Sequence, residues 1–229
     1  MGDVRPRRGQ HVLERSLTET PSGLWKDRRA LSTLTGTGTV RAPLTTLRGV
    51  PTIVIPYRGD AKRRLPAAIR AAAAVAMLGD VVSAALEVGR VLVVTDDPDV
   101  VPPGVEVVPD PGEGMGAAVA LGLASVEGHA VVLNADLPCA TPSAITRLAA
   151  AGLALVEAED GTTNALSLPD PSVFAPLYGP GSAARFRAHA PFATVTSPEL
   201  EADVDTGDDL ERYAPLLGIR TRSLLAVPA

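Results

Sequence analysis

Asp136 follows a short apolar run in the segment His129-Ala-Val-Val-Leu-Asn-Ala-Asp-Leu-Pro138, which places a carboxylate in the loop at the end of a buried strand. In open α/β sheets, ligands gather at the carboxyl ends of strands, and Pro138 stiffens the turn behind this one. A carboxylate so placed can hold a metal ion against a phosphate; a helix cap or turn aspartate is the plainer alternative. A second acidic group, Asp203-Val-Asp205, precedes another predicted helix. Two carboxylates distant in sequence but both on strand-end loops suit one shared Mg2+, which takes few carboxylates and fills its shell with phosphate oxygens and water.

Cations stand close by in the same pattern. Arg58-Gly-Asp-Ala-Lys-Arg-Arg64 follows the first apolar run and sets Arg58, Lys62, Arg63 and Arg64 ahead of a predicted helix. Cations at a helix amino end oppose its dipole, and a bound polyanion relieves that conflict. The segment is therefore read as a triphosphate site, with a solvated helix start as the alternative. Gly112, Gly114 and Gly116 form a GxGxG loop that allows either a tight turn or the close approach of a nucleobase or ribose. Its spacing misses the GxGxxG dinucleotide fingerprint, and no GxxxxGK[ST] sequence is present, which argues against a dinucleotide oxidoreductase and a P-loop ATPase. Acids, cations and glycine loop together fit nucleotidyl transfer, in which a metal and cations stabilise charge as an acceptor oxygen attacks the α-phosphorus.

The elements that must position these residues alternate regularly from Val50 onward. Thr52–Ile55 reads as a strand, 66–88 as an Ala-rich helix with Gly79 as a break point, Val91–Thr95 and Val105–Val108 as strands, and a helix runs from the glycine loop to about Ser125. After the strand that leads to Asp136 come a helix from Pro142, strands at Leu153–Ala158 and Asn164–Leu168, a short helix after Ser182 and a strand at Phe192–Thr196. Asp205-Thr-Gly-Asp-Asp-Leu210 reads as the capped start of the last helix. Such alternation predicts an α/β fold with a mostly parallel sheet covered on both faces.

Composition narrows the class. The 229 residues suit one large α/β domain, and aromatic residues make up only 3%, too few for a nucleic-acid stacking platform. The lone Cys139 excludes an internal disulfide, and no Cys/His cluster has zinc-ligand spacing. His11, His129 and His189 are scattered and read as structural. With no apolar run of spanning length and no signal core, a cytoplasmic protein is expected. Residues 1–48 carry nine Lys/Arg against four Asp/Glu, and the remainder twelve against twenty-two. The first part reads as a basic, flexible extension (1–48) ahead of a single catalytic domain (49–229).

The order of motifs resembles a known family. Ile55-Pro-Tyr-Arg, Ala61-Lys-Arg-Arg-Leu65, the glycine loop, Asn134-Ala-Asp-Leu-Pro138, Asp160-Gly-Thr-Thr-Asn164, Tyr178-Gly-Pro-Gly-Ser182 and Asp203-Val-Asp-Thr206 are similar to those of the 2-phospho-L-lactate and phosphoenolpyruvate guanylyltransferases (CofC and FbiD), of the MobA-like nucleotidyltransferase superfamily. The resemblance implies a three-layer, Rossmann-like fold of the nucleotide-diphospho-sugar transferase (glycosyltransferase-A-like) kind, with a mostly parallel mixed sheet. It implies Mg2+ as cofactor and transfer of GMP from GTP to a three-carbon phospho-acid with release of pyrophosphate, a step in making the deazaflavin coenzyme F-420. The next enzyme of that pathway is an implied partner. Carried over by position, Lys62 and Arg64 would hold the triphosphate, Asp136 and Asp205 the metal with Asp203 as alternative to the second, and Thr163 or Thr162, Gly179 and Ser182 the acceptor. The chain departs from the family at Tyr57-Arg58, where Val-Lys is usual, and at Met115-Gly116, where Leu-Asn is common. Another acceptor on the same fold, a molybdopterin or sugar phosphate, and a non-catalytic nucleotide-binding module are the competing readings.

Overall fold

The computed structural model describes residues 49–59 and 64–225. The basic segment 1–48, and with it His11, falls outside the described residues, as do Lys62 and Arg63.

Seven strands form one sheet: β1 (Thr52–Pro56), β2 (Arg90–Thr95), β3 (Glu106–Pro109), β4 (Ala130–Leu133), β5 (Ala154–Glu157), β6 (Thr163–Leu168) and β7 (Ala193–Thr194), in the order β3-β2-β1-β4-β6-β5-β7. Pairing is parallel from β3 through β4 and between β5 and β7, whereas β6 runs antiparallel to both β4 and β5. The expected mostly parallel sheet is thus present, with one reversed strand.

Period-two alternation assigns side chains to two cores. Ile53, Ile55, Val91, Val93, Val131 and Leu133 face one layer, formed by α1 (Arg70–Leu86) and α3 (Pro142–Ala150). Val54, Leu92, Val94, Ala130 and Val132 face the other, formed by α2 (Met115–Leu123) and α4 (Ser182–His189). Helices lie on both faces, which gives the three-layer architecture. Thr141 caps α3 by accepting from the Ala144 amide at 3.2 Å, with Pro142 in the first turn.

Several boundaries differ from expectation for physical reasons. Pro66–Ile69 is a turn, so α1 starts at Arg70, whose guanidinium donates to Leu65 O. Gly79 does not break α1; a Cβ there would stand 2.6 Å from Arg220 Cδ, so the glycine admits a crossing side chain. β7 is only two residues long. After α5 (Pro198–Glu201), the acidic segment leads to α6 (Gly207–Arg212), whose capping box pairs Thr206 with Asp209 as its sequence suggests. Yet α6 is not the last helix, since α7 (Ile219–Leu225) follows. The buried Asp80 carboxylate holds the start of α7 by accepting from the Arg220 and Thr221 amides at 3.0 and 2.9 Å.

A third, smaller core gathers Leu65, Met77, Cys139, Ala202, Val204, Leu210 and Leu217. Most of these belong to segments next to a predicted functional residue, so the cluster packs those loops onto α1.

Candidate active site

A cleft of about 170 Å³ opens at the carboxyl ends of β1 and β4, lined by Tyr57, Arg58, Met77, Asp110, Met115, Asn134 and Asp136 among others. β1 and β4 are neighbours whose next strands, β2 and β5, lie in opposite directions along the sheet, and a crevice at that reversal of strand order is where α/β sheets bind ligands.

Asp136 lies three residues past β4 and lines this cleft. The second acidic segment is brought to it by main chain: the Val204 amide donates to Asp136 O at 3.0 Å. Val204 is itself fully buried, which leaves Asp203 and Asp205, half-buried, on either side of a fixed point. The Asp205 amide donates to Asp209 Oδ2 at 3.1 Å, tying the residue to the α6 cap. The two acidic segments, some seventy positions apart in the chain, are thus adjacent in space.

Asn164 sets this arrangement from behind. Its buried side-chain amide donates to Leu200 O and Glu201 O, both at 3.1 Å, and its own carbonyl accepts from the Asn134 amide at 3.0 Å. One residue therefore fixes both the end of β4 and the chain that enters the second acidic segment.

The cations divide. Arg64 Nη1 stands 3.8 Å from Asp205 Oδ2, and both side chains remain open to solvent. Arg58 Nε lies 4.0 Å from the almost fully buried Asp110 carboxylate, across the mouth of the cleft. Asp110 also accepts from the Gly112 amide at 2.9 Å, shaping the glycine loop. Gly112 and Gly114 have positive φ, 77° and 94°, with open space where a Cβ would be, so their type answers to the turn and leaves room above it. Gly116 differs: a Cβ there would meet Pro176 Cβ at 2.7 Å. Its lack of a side chain is explained by packing against the 176 loop.

The expected acceptor residues meet at the start of α4. Ser182 Oγ donates to Thr163 Oγ1 at 3.0 Å, and both residues are buried. Thr162, half-exposed, donates through its amide and hydroxyl to Asp160 Oδ1 at 2.9 and 2.6 Å, and these bonds hold the Asp160 carboxyl below its usual range. Gly179 and Gly181 take positive φ, 109° and 68°. The loop rests on an aromatic cluster in which the Tyr178 and Phe186 ring centroids are 5.5 Å apart, with Phe174 and Phe192 also against Phe186. All three phenylalanines of this aromatic-poor chain are spent there.

No group of three or more His, Cys, Asp or Glu able to hold a metal occurs among the described residues. The oxygen-only donors fit a hard cation that needs few protein ligands. Beside Asp136, the buried Asn134 Oδ1 has no hydrogen-bond partner among the described residues, an open acceptor in a residue that lines the same cleft. Cys139 is packed in the third core, and burial pushes its thiol up to about 11, as befits a structural residue. His129 is likewise structural, with Nε2 2.9 Å from Ser167 Oγ. No helix among the described residues is long and apolar enough to cross a membrane.

Asp110 and Arg185 are not singled out by the sequence, and Asn164 enters it only as the end of the Gly-Thr-Thr-Asn motif, with no role assigned. A Pro-Asp-Pro-Gly turn at the end of a strand was a usable signal for Asp110; the other two bind main-chain carbonyls, which residue types do not announce.

Residues 67–179 match the MobA-like NTP transferase domain. The chain is 36% identical over 205 residues to a phosphoenolpyruvate guanylyltransferase of Streptomyces scabiei, covering 76% of this chain and 94% of the relative. It is 33% identical over 191 residues to a 2-phospho-L-lactate guanylyltransferase of Natrialba magadii, covering 69% and 80%. Among solved structures, 2-C-methyl-D-erythritol 4-phosphate cytidylyltransferase of Thermus thermophilus shares the fold, with a TM-score of 0.51, 16% identity, and coverage of 76% and 98%.

Proposed function

The chain belongs to the family of phosphoenolpyruvate and 2-phospho-L-lactate guanylyltransferases, and from that membership we propose that it transfers GMP from GTP to one of these three-carbon phospho-acids, in the route to coenzyme F-420. A phosphate oxygen of the acceptor attacks the α-phosphorus of GTP. A new P–O–P bond forms, the bond from the α-phosphorus to the bridging oxygen breaks, and pyrophosphate leaves with the electron pair.

The observation that carries this reading is the hydrogen bond from Val204 to Asp136, which sets two acidic segments side by side at the cleft. Asp136 and Asp205, with Asp203 as alternative, would hold Mg2+. When bound, the ion supplies charge neutralisation for the triphosphate and for the developing pyrophosphate. Arg58, which lines the cleft, and Arg64, beside Asp205, would add positive charge around the same phosphates, and Lys62 joins them by position in sequence. Each Arg is already near a carboxylate, so phosphate binding competes with an existing ion pair rather than with water alone. Gly112 and Gly114 leave room for the nucleoside above the loop shaped by Asp110.

The acceptor is assigned to the corner formed by Thr162, Thr163, Gly179 and Ser182. The Ser182–Thr163 bond joins the two hydroxyls at this corner. An arriving carboxylate or phosphate exchanges that bond for bonds to its own oxygens, which lets a buried neutral pair receive an anion without adding protein charge.

The test is pyrophosphate release in Mg2+ buffer, drawn forward with pyrophosphatase, for each nucleoside triphosphate paired with phosphoenolpyruvate, 2-phospho-L-lactate or 3-phosphoglycerate. Release that requires both GTP and one phospho-acid is expected. No release with any pair, or equal release with every nucleotide, overturns the reading.

A further inference from the structure

Arg185 lies in the first turn of α4, where a cation opposes the helix dipole. Its guanidinium folds back under the Tyr178–Gly181 loop. Nε and Nη2 donate to Leu177 O at 3.2 and 2.8 Å, Nη2 also donates to Tyr178 O at 3.0 Å, and Nη1 donates to Pro180 O. The group lies close against both glycines, since Cβ atoms added at Gly179 and Gly181 would stand 3.6 Å from Nη2 and 3.8 Å from Nη1. No carboxylate pairs with Arg185 among the described residues, whereas Arg147, Arg187, Arg212 and Arg220 on the same domain each have one.

Two properties follow from that placement. Three carbonyls held by one guanidinium fix the path of the loop that leads into Ser182. The guanidinium, open to solvent, meets carbonyl dipoles and no carboxylate among the described residues, so its positive charge stays uncancelled by protein beside the loop. Both favour an anion at the corner where Ser182 and Thr163 meet. A planar fork is needed to reach several carbonyls at once, and an ammonium cannot reproduce it.

We propose that Arg185 is a positioning and specificity residue for the acceptor: it clamps the Leu177–Gly181 loop and supplies the charge that draws the phospho-acid there. This rests on the acceptor assignment above. Its expected signature is selective, because Arg185 touches the loop of the acceptor and is not among the residues that line the nucleotide cleft.

The experiment compares wild-type protein with Arg185→Gln and Arg185→Lys in the pyrophosphate-release assay, varying phospho-acid at saturating GTP and then the reverse. Arg185→Gln is expected to raise KM for the phospho-acid by about tenfold or more, the scale of a charge-assisted hydrogen-bond set, with KM for GTP within about twofold. Arg185→Lys is expected to fall between, since it keeps charge and loses the fork. If Arg185→Gln does not fold, Arg185→Lys alone carries the comparison, read also by the melting shift that phospho-acid produces without nucleotide. An unchanged acceptor KM, an equal rise in both KM values, or full rescue by lysine overturns the proposal. Inactivity of the wild-type protein with every phospho-acid instead overturns the acceptor assignment itself, so the two failures are distinct.

Discussion

Asp136 is held in part by a main-chain bond that does not depend on its carboxylate. The Val204 amide bonds the Asp136 carbonyl, not its side chain, and that bond survives substitution. Asp136→Asn keeps the shape of the side chain and removes the charge. Turnover is expected to fall by at least about a thousandfold, the scale of a lost electrostatic contact to the transition state, with the melting temperature within about 4 °C of wild type. Steady-state rates and thermal melts of the two proteins check this; retained activity would remove Asp136 from the metal. The sequence made Asp136 legible because a lone acid after an apolar run stands out, and Asp203 and Asp205 because they precede a recognisable helix cap. It concealed the role of Asn164, and Arg185 altogether, because their partners are main-chain carbonyls. It did not show why Gly116 must be glycine, since a glycine near a site has the same letter whether it admits a ligand or Pro176.

Helix and strand placement shows the same division between local and remote causes. β1, β2 and β4 were legible because strands buried on both faces are continuous apolar runs, and α6 because Thr206 and Asp209 form its cap within four residues. α7 was not, because its amino end is capped by Asp80, some 140 positions away. That helix also braces the acidic loop, as the Gly218 amide donates to Pro138 O at 2.7 Å. Gly218→Ala tests the brace: its Cβ would lie 2.3 Å from Asp80 Cγ, at the rim of the third core. A loss of about 1–3 kcal/mol in urea unfolding is expected from such overpacking, together with a lower kcat. Unchanged unfolding would show that α7 shifts freely. The β4–β6 junction offers a pH test. Burial lowers the pKa of His129 from 6.5, so the unfolded chain takes the proton first as pH falls. Stability held in full above about pH 6.5 is expected to decline below it, and His129→Gln should flatten that slope in thermal melts. An identical slope in the variant would assign the decline to other groups.

At the scale of the whole chain, every described residue assigned to the site lies between Arg58 and Asp205, in a sheet whose three cores are built from residues 53–217. The Streptomyces scabiei relative is matched over 94% of its length by 76% of this chain, so a protein with nothing matched to about a quarter of these residues carries the guanylyltransferase name. The charge contrast sharpens the question: the excess of Lys and Arg sits in 1–48, while the domain that must attract polyanionic GTP is acidic overall. Long-range steering is screened within about 8 Å at physiological salt, so Arg58, at the cleft, and Arg64, beside Asp205, are expected to outweigh the net charge of 1–48. A chain beginning at Gly49 is therefore expected to keep kcat and both KM values within about twofold at 0.15 M salt. At low salt, where screening extends to about 30 Å, the full-length protein should gain an advantage in KM for GTP. Loss of kcat in the shortened chain at either salt would show instead that residues 1–48 contribute groups to the site.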